Sequence, residues 1–157
     1  MIDNEIQSTN NSSQRNLNPD LDTHHRPLIG VAVIVMKNRK VLLGKRKNSH
    51  GDGTWAFPGG HLELNESIEA CACREVLEET DVHLTNLRRG PYTNDVFDRE
   101  GKHYVTLFVL ADFDSGVPTV KEPNKCAEWQ WHPWPPPVAP LFLPIKNLLK
   151  QNFQLPY

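Results

Sequence analysis

Apolar positions along this chain follow two different spacings, and the change between them marks out its elements. Leu28 to Met36 is an almost unbroken β-branched and apolar run, which suits a strand covered on both faces. Lys37-Asn38-Arg39-Lys40 reads as a hairpin turn and Val41 to Lys45 as the returning strand. Asn48 to Thr54 is a glycine-containing loop, and Trp55 to Phe57 a short strand entering the turn Pro58-Gly59-Gly60. The spacing then becomes helical: Ile68, Ala72 and Val76 share one face, and Asn65 is placed to cap the first turn. His83 to Phe97 and His103 to Phe113 predict two strands joined near Arg99-Glu100-Gly101. Pro118 to Lys125 reads as a loop, Glu128 to His132 as a strand, and Leu141 to Lys150 as a final helix. Strands with a helix on each side predict a three-layer α/β/α sandwich. Residues 1–26, rich in Asn, Ser, Gln and Asp, predict a disordered polar tail ahead of one domain spanning 27–157.

The chemistry of the chain concentrates on the first helix. Glu75, Glu78 and Glu79 crowd one helical face, and Glu66 lies just before it. Like charges at this spacing repel by a few tenths of a kcal/mol per pair, about 0.2–0.5 kcal/mol. Such a cluster is either a solvated face or a place to hold a cation. The company it keeps favours the cation: the opposite face is apolar, a glycine-rich turn precedes it, and Arg74 stands beside Glu75 to orient a carboxylate. Hard oxygen donors of this kind suit Mg²⁺, with Mn²⁺ as the alternative.

Composition narrows the function classes. The 157 residues fit one domain, and 19 acidic against 17 basic residues leave no field for a nucleic-acid polymer or a membrane surface. No apolar run approaches the roughly 20 residues of a bilayer span. The first residues include Asp3 and Glu5 and lack an apolar signal core, so a cytoplasmic location is expected. Three cysteines argue against a disulfide framework, and Cys71 and Cys73 are expected to pack as small apolar groups.

Gly60, Glu66, Arg74, Glu75, Val76, Glu78, Glu79 and Val82 occupy eight of the nine defined positions of the Nudix box. The box reads Gly, five residues, Glu, seven residues, Arg-Glu-aliphatic, one residue, Glu-Glu, one residue, Gly-aliphatic. From about Ile29 to Phe153 the chain resembles a MutT-like subgroup of that family. Val41 to Arg46, Phe57 to Glu63, Tyr104-Val105-Thr106 and Trp129-Gln130-Trp131 carry the likeness. Two positions depart from the pattern. Asp81 stands where the box closes with glycine, and Asn124 stands where relatives usually carry an acid, which puts a second or third metal in doubt unless Glu122 or Glu128 substitutes.

The resemblance implies a Nudix-type sandwich with a mixed β-sheet, and Mg²⁺-dependent hydrolysis of a diphosphate linkage. By that likeness Glu75 and Glu79 are the principal metal ligands, helped by Glu78 and the Gly60 carbonyl. Glu78, ahead of Glu66, is the expected general base, and Arg74 is an orienting partner. Arg46, Gly59 and His61 are expected at the substrate, the alternative for His61 being to pack behind the turn. Phe57, Thr106, Phe142 and Leu143 match the lining of the relatives' base pocket. Trp129, Trp131 and Trp134 are expected to be structural. The implied activity is hydrolysis of a nucleoside triphosphate, a dNTP or 8-oxo-dGTP, to the monophosphate and pyrophosphate. Competing readings are another small-molecule diphosphate (geranyl diphosphate, ADP-ribose or a nucleotide sugar) or a Nudix-fold module that binds a nucleotide without cleaving it. Such modules generally lose box glutamates, whereas all three helix glutamates are present here. Dimers occur among these relatives, so a homodimer belongs to what the likeness implies.

Overall fold

The computed structural model describes residues 26–157, and the polar tail expected over 1–26 falls, but for Arg26, outside them. Seven strands, β1 (Leu28–Lys37), β2 (Lys40–Arg46), β3 (Trp55–Ala56), β4 (Gly59–His61), β5 (His83–Phe97), β6 (Lys102–Ser115) and β7 (Cys126–Pro133), join two helices, α1 (Ile68–Thr80) and α2 (Leu143–Lys150). The sheet runs β3-β2-β1-β6-β5, with β4 paired to β1 and β7 to β2. β1 and β6 are parallel and the other pairs antiparallel, so the sheet is mixed, as expected.

Alternation along β1 builds both cores. Val31, Val33 and Val35 pack with Cys71, Ala72 and Val76 of α1. Ile34 and Met36, facing the other way, pack with Ile145 and Leu148 of α2. That is the three-layer sandwich, its sheet buried on both faces. β1 pairs with β2 only through Met36 and Lys37, at the hairpin. Toward its start β1 diverges from β2, and β4 takes over as its partner, Ala32 against Gly59 and Gly30 against His61. The gap left by this divergence is where the cleft opens.

Local chemistry accounts for the element ends. Asn38 and Arg39 have φ of 50° and 62°, the left-handed pair that a tight hairpin needs. Ser67, not Asn65, caps α1: its hydroxyl accepts the Ala70 N–H at 3.1 Å, while Asn65 is spent on a left-handed turn at φ 65°. Asp81 ends α1 at φ 63°, its N–H donated to the Leu77 carbonyl at 3.0 Å, a left-handed conformation that glycine adopts without strain and Asp at modest cost. Of the two helix cysteines only Cys71 packs in the core; Cys73 is exposed, because residues two apart on a helix face different ways. The glycine turn is more ordered than its composition suggested, with Gly59–His61 forming β4. The last helix starts at Leu143, since Leu141 is held extended beside Trp55. No helix among the described residues is long and apolar enough to cross a membrane.

Asp81 holds a backbone conformation that costs an ordinary L-residue about 1–2 kcal/mol and Asp somewhat less. Asp81→Gly is therefore expected to stabilise the fold by about 0.5–1 kcal/mol, an upward shift of about 1–4 °C in thermal midpoint. An unchanged or lowered midpoint would show that the Asp81 side chain contributes more than its backbone costs.

Candidate active site

Capped by Ser67 and anchored through Ala72 and Val76, α1 turns Arg74, Glu75, Glu78 and Glu79 toward the glycine turn. Arg74 organises the acids around it. Its Nε and Nη2 donate to both oxygens of Glu66 at 2.7 and 3.0 Å, and its Nη1 donates to Glu75 Oε1 at 2.7 Å. Nη2 also reaches the His61 carbonyl at 3.3 Å, tying the helix to β4. The paired carboxylates hold the Arg74 proton far more tightly than usual. Glu66 is held down to about 2, chiefly by its hydrogen bonds from Arg74.

Glu79 lies outside this clamp. Its Oε1 accepts the Gly59 N–H at 3.2 Å. Burial, then the neighbouring charge of Glu75, pushes its carboxyl well above the ordinary range despite that hydrogen bond. Gly60 packs directly on the Glu75 carboxylate, so any Cβ at this position would drive into it. Two carboxylates, one turn apart and pressed against a glycine pair, form a donor set short of positive charge. Glu75 and Glu79 thus fit a divalent cation. Glu78, also expected to help hold the metal, is more open: its side chain is 53% exposed, and its contact with Arg74 is 3.4 Å. Among the described residues no three Asp, Glu, His or Cys side chains converge as a ready metal cage.

From these acids a cleft of about 570 Å³ runs between β1, β4 and the start of α2. Arg46, Phe57, Gly59, Gly60, His61, Arg74, Glu75, Glu78, Glu79, Thr106 and Phe142 all line it, so one cavity collects eleven of the twelve sequence-derived site residues. Leu143 does not line it; Pro144 and Ile145 do, because the first helical turn points them inward and Leu143 away. Phe57 is a wall rather than an open platform, packed edge-on to Phe108 and stacked on Trp134. His61 faces the cleft, within 3.2 Å of the Tyr104 hydroxyl. Arg46 lies over the Phe142 ring, 4.3 Å from its centroid, with Nε donated to the His50 carbonyl at 2.6 Å. Burial lowers the Arg46 pKa, partly offset by the charge of Glu79.

Several lining residues were not picked out from the sequence. Phe97, Tyr104 and Phe142 surround the His50 ring, which has no hydrogen-bond partner on either nitrogen among the described residues and whose pKa burial lowers. Trp129, expected to be purely structural, also lines the cleft, its ring filling the space above Gly44. Glu122 lines the cleft and adds to the charge acting on Glu79, whereas Asn124 and Glu128 are not part of the lining. The available signal was strand alternation: Phe97 and Tyr104 share a sheet face with Thr106, but only the register of β5 against β6 puts them side by side.

A model of the NUDIX domain matches residues 25–145. The ADP-ribose pyrophosphatase of Methanocaldococcus jannaschii is 33% identical over 66% of this chain and 61% of its own length. The mouse oxidized purine nucleoside triphosphate hydrolase is 32% identical over 57% of this chain and 58% of its own. The chain thus spans about three-fifths of the length of these two relatives. Among solved structures, a MutT NUDIX hydrolase from Burkholderia pseudomallei superposes with a TM-score of 0.75 at 28% identity, covering 80% of this chain and 98% of that one. With its box glutamates gathered around Arg74 and the Gly59-Gly60 turn, and its domain matched over most of its described length, the chain belongs to the Nudix hydrolase family.

Proposed function

We propose that this protein hydrolyses nucleoside triphosphates, dNTPs and oxidised purine dNTPs among them, to the nucleoside monophosphate and pyrophosphate. The observation that carries this reading is one cleft that holds the Glu75–Glu79 pair, of which Arg74 compensates only Glu75, with Arg46 in the field of Glu79 and the rings of Phe97, Tyr104 and Phe142 along the same lining. A nucleotide has the matching polarity, a polyphosphate at one end and a planar base at the other.

Nudix hydrolases generally work with a divalent metal. Glu75 and Glu79 would hold Mg²⁺, or Mn²⁺, with the Gly60 carbonyl beside them; when bound, the ion neutralises phosphate charge and acidifies a water. The chain's own groups do the rest. Arg74 fixes the orientation of Glu75 and spends both oxygens of Glu66, so Glu66 is poorly placed to accept a proton. Glu78 lines the cleft and, among the described residues, keeps only the 3.4 Å contact to Arg74, which leaves its carboxylate free to take the proton of the attacking water. Arg46, with Nε fixed by the His50 carbonyl, turns the rest of its guanidinium toward the phosphates, while Phe142 holds the plane of that group. His61 and the Gly59 backbone border the same phosphate end. We take the substrate to be a small soluble nucleotide met in the cytoplasm, not a nucleic-acid polymer. ADP-ribose is the second reading, favoured by the identity to an ADP-ribose pyrophosphatase.

Glu75→Gln together with Glu79→Gln is expected to lower kcat by about 100-fold or more and to abolish Mg²⁺ binding seen by calorimetry. Turnover that survives the double substitution would refute the assigned ligands. A panel of dNTPs, 8-oxo-dGTP, ADP-ribose and geranyl diphosphate, each with Mg²⁺, tests the substrate class: preference for the prenyl ester would overturn the nucleotide reading. Acid stability tests the Arg74 clamp. Glu66 is held at about 2 against an ordinary 4.5, so its ion pair contributes fully above pH 4.5 and is lost as pH falls through 2. Glu66→Gln should flatten the fall in denaturant midpoint across that window, and an unaltered slope would mean that the pair is equally formed in the unfolded chain.

A further inference from the structure

Beyond the acids and the arginines, the wall of the cleft contains a buried polar network that the proposed chemistry does not use. β5 and β6 pair Thr93 with Thr106 and Asp95 with Tyr104, which sets Thr93, Asp95 and Thr106 on one face of the sheet. All three are nearly sealed, at 1%, 0% and 5% exposure. Asp95 Oδ2 accepts the Thr106 hydroxyl at 2.5 Å and the Thr93 hydroxyl at 2.9 Å. Its Oδ1 accepts the side-chain amide of Asn147, from α2, at 2.8 Å. Both threonine hydroxyls thus direct their protons at one oxygen of this side chain.

Thr106 is also the member of this network that lines the cleft. Its neighbour across the β1–β6 pair is Gly30. A Cβ added at Gly30 would have Thr106 Oγ1 and Tyr104 Cδ1 as its nearest atoms, each 3.9 Å away, so the glycine leaves open space in front of the hydroxyl oxygen. A free hydroxyl rotates and can either donate or accept. This one is held by its bond to Asp95 Oδ2, and among the described residues no group donates to it.

We infer that Asp95 is a positioning residue that makes Thr106 an acceptor-only contact at the inner end of the cleft, so that the site selects a planar base presenting an N–H there. The inference rests on the nucleotide reading above and deepens it by naming what the base must offer. A base that presents an acceptor or a C–H at this point leaves the Thr106 lone pairs buried and unpaired. A prenyl tail does the same, and either loses affinity by the cost of that orphan. The rings of Tyr104, Phe97 and Phe142 supply the apolar surface around the contact, and the threonine sets the orientation.

The test uses the full-length protein with Mg²⁺ and the dNTP it turns over best. Thr106→Val should raise KM by about tenfold with kcat within about twofold, whereas Thr106→Ser, which restores the hydroxyl, should return KM to the wild-type value. The Ki of base-free deoxyribose 5′-triphosphate, measured as a competitor, should move far less than KM in Thr106→Val. The same dNTP N-methylated on its base should lose about tenfold in the wild-type protein and nothing further in Thr106→Val. Asp95→Asn should reproduce the KM rise; where burial makes that variant unstable, the Val and Ser pair decides. KM and the base-free Ki rising together, or an N-methyl penalty of equal size in both proteins, would overturn the inference and leave nucleotide hydrolysis standing. Turnover of no nucleotide by the wild-type protein would sink both together.

Discussion

The site depends on a repulsion that the fold holds in place. Glu75 and Glu79 lie one helical turn apart and are pressed against Gly59 and Gly60, where solvent is partly excluded. In an isolated helix their mutual cost would be small, because water screens it. Here burial amplifies it, and the protein compensates only one of the two, by pairing Glu75 with Arg74. The residual demand for positive charge falls on Glu79. A diphosphate substrate needs its own charge neutralised at the same place, so the two demands are met together.

Holding that arrangement requires rigidity from both layers. α1 cannot relax away from the turn, because Cys71, Ala72 and Val76 are locked into the sheet by Val31, Val33 and Val35. The turn cannot relax away from α1, because β4 is laddered to β1 from Gly30 to Ala32. Arg74 spans the two, holding helix carboxylates on one side and the His61 carbonyl on the other. β1 therefore has two roles along its length. Its later residues are β-branched and fill the core, while Gly30 and Ala32 are small and leave room for the cleft.

The other end of the cleft draws on the most distant parts of the chain. α2 contributes Pro144, Ile145 and the Asn147 amide; Phe142, just before it, adds the ring under Arg46. Asn147 and Asp95 connect α2 to β5, so the packing of the last helix and the polarity of the inner wall are coupled. Trp134 closes the back of this region, stacked on Phe57 and donating its indole N–H to the Phe153 carbonyl at 3.0 Å.

Features with a local cause were legible in the sequence. Strand runs, the hairpin at Asn38-Arg39, the helix carrying the acids and the left-handed Asp81 all follow from propensities and spacings a few residues long. Glu75, Glu79, Arg74 and the glycine turn were legible for the same reason: they lie within one short stretch, where helical geometry dictates who is near whom. Reading went astray where two local solutions compete, as with Ser67 and Asn65 for the cap, or where one residue's rotation around a helix start matters, as with Leu143 and Pro144. Asp95 and His50 could not have been picked out, since nothing beside them in the chain distinguishes a buried acceptor or an imidazole walled by aromatic rings from ordinary surface polarity. Their roles arise from the register of β5 on β6, the docking of α2 and the closing of an aromatic ring of neighbours, contacts between residues far apart in the chain. Periodicity along the chain thus determined the elements and the acidic face of α1. Which oxygen atoms face one shared cavity, and which are sealed from water, was decided only when the sheet register and helix packing brought distant residues together, because burial and hydrogen-bond partnership are properties of the folded neighbourhood and not of any residue alone.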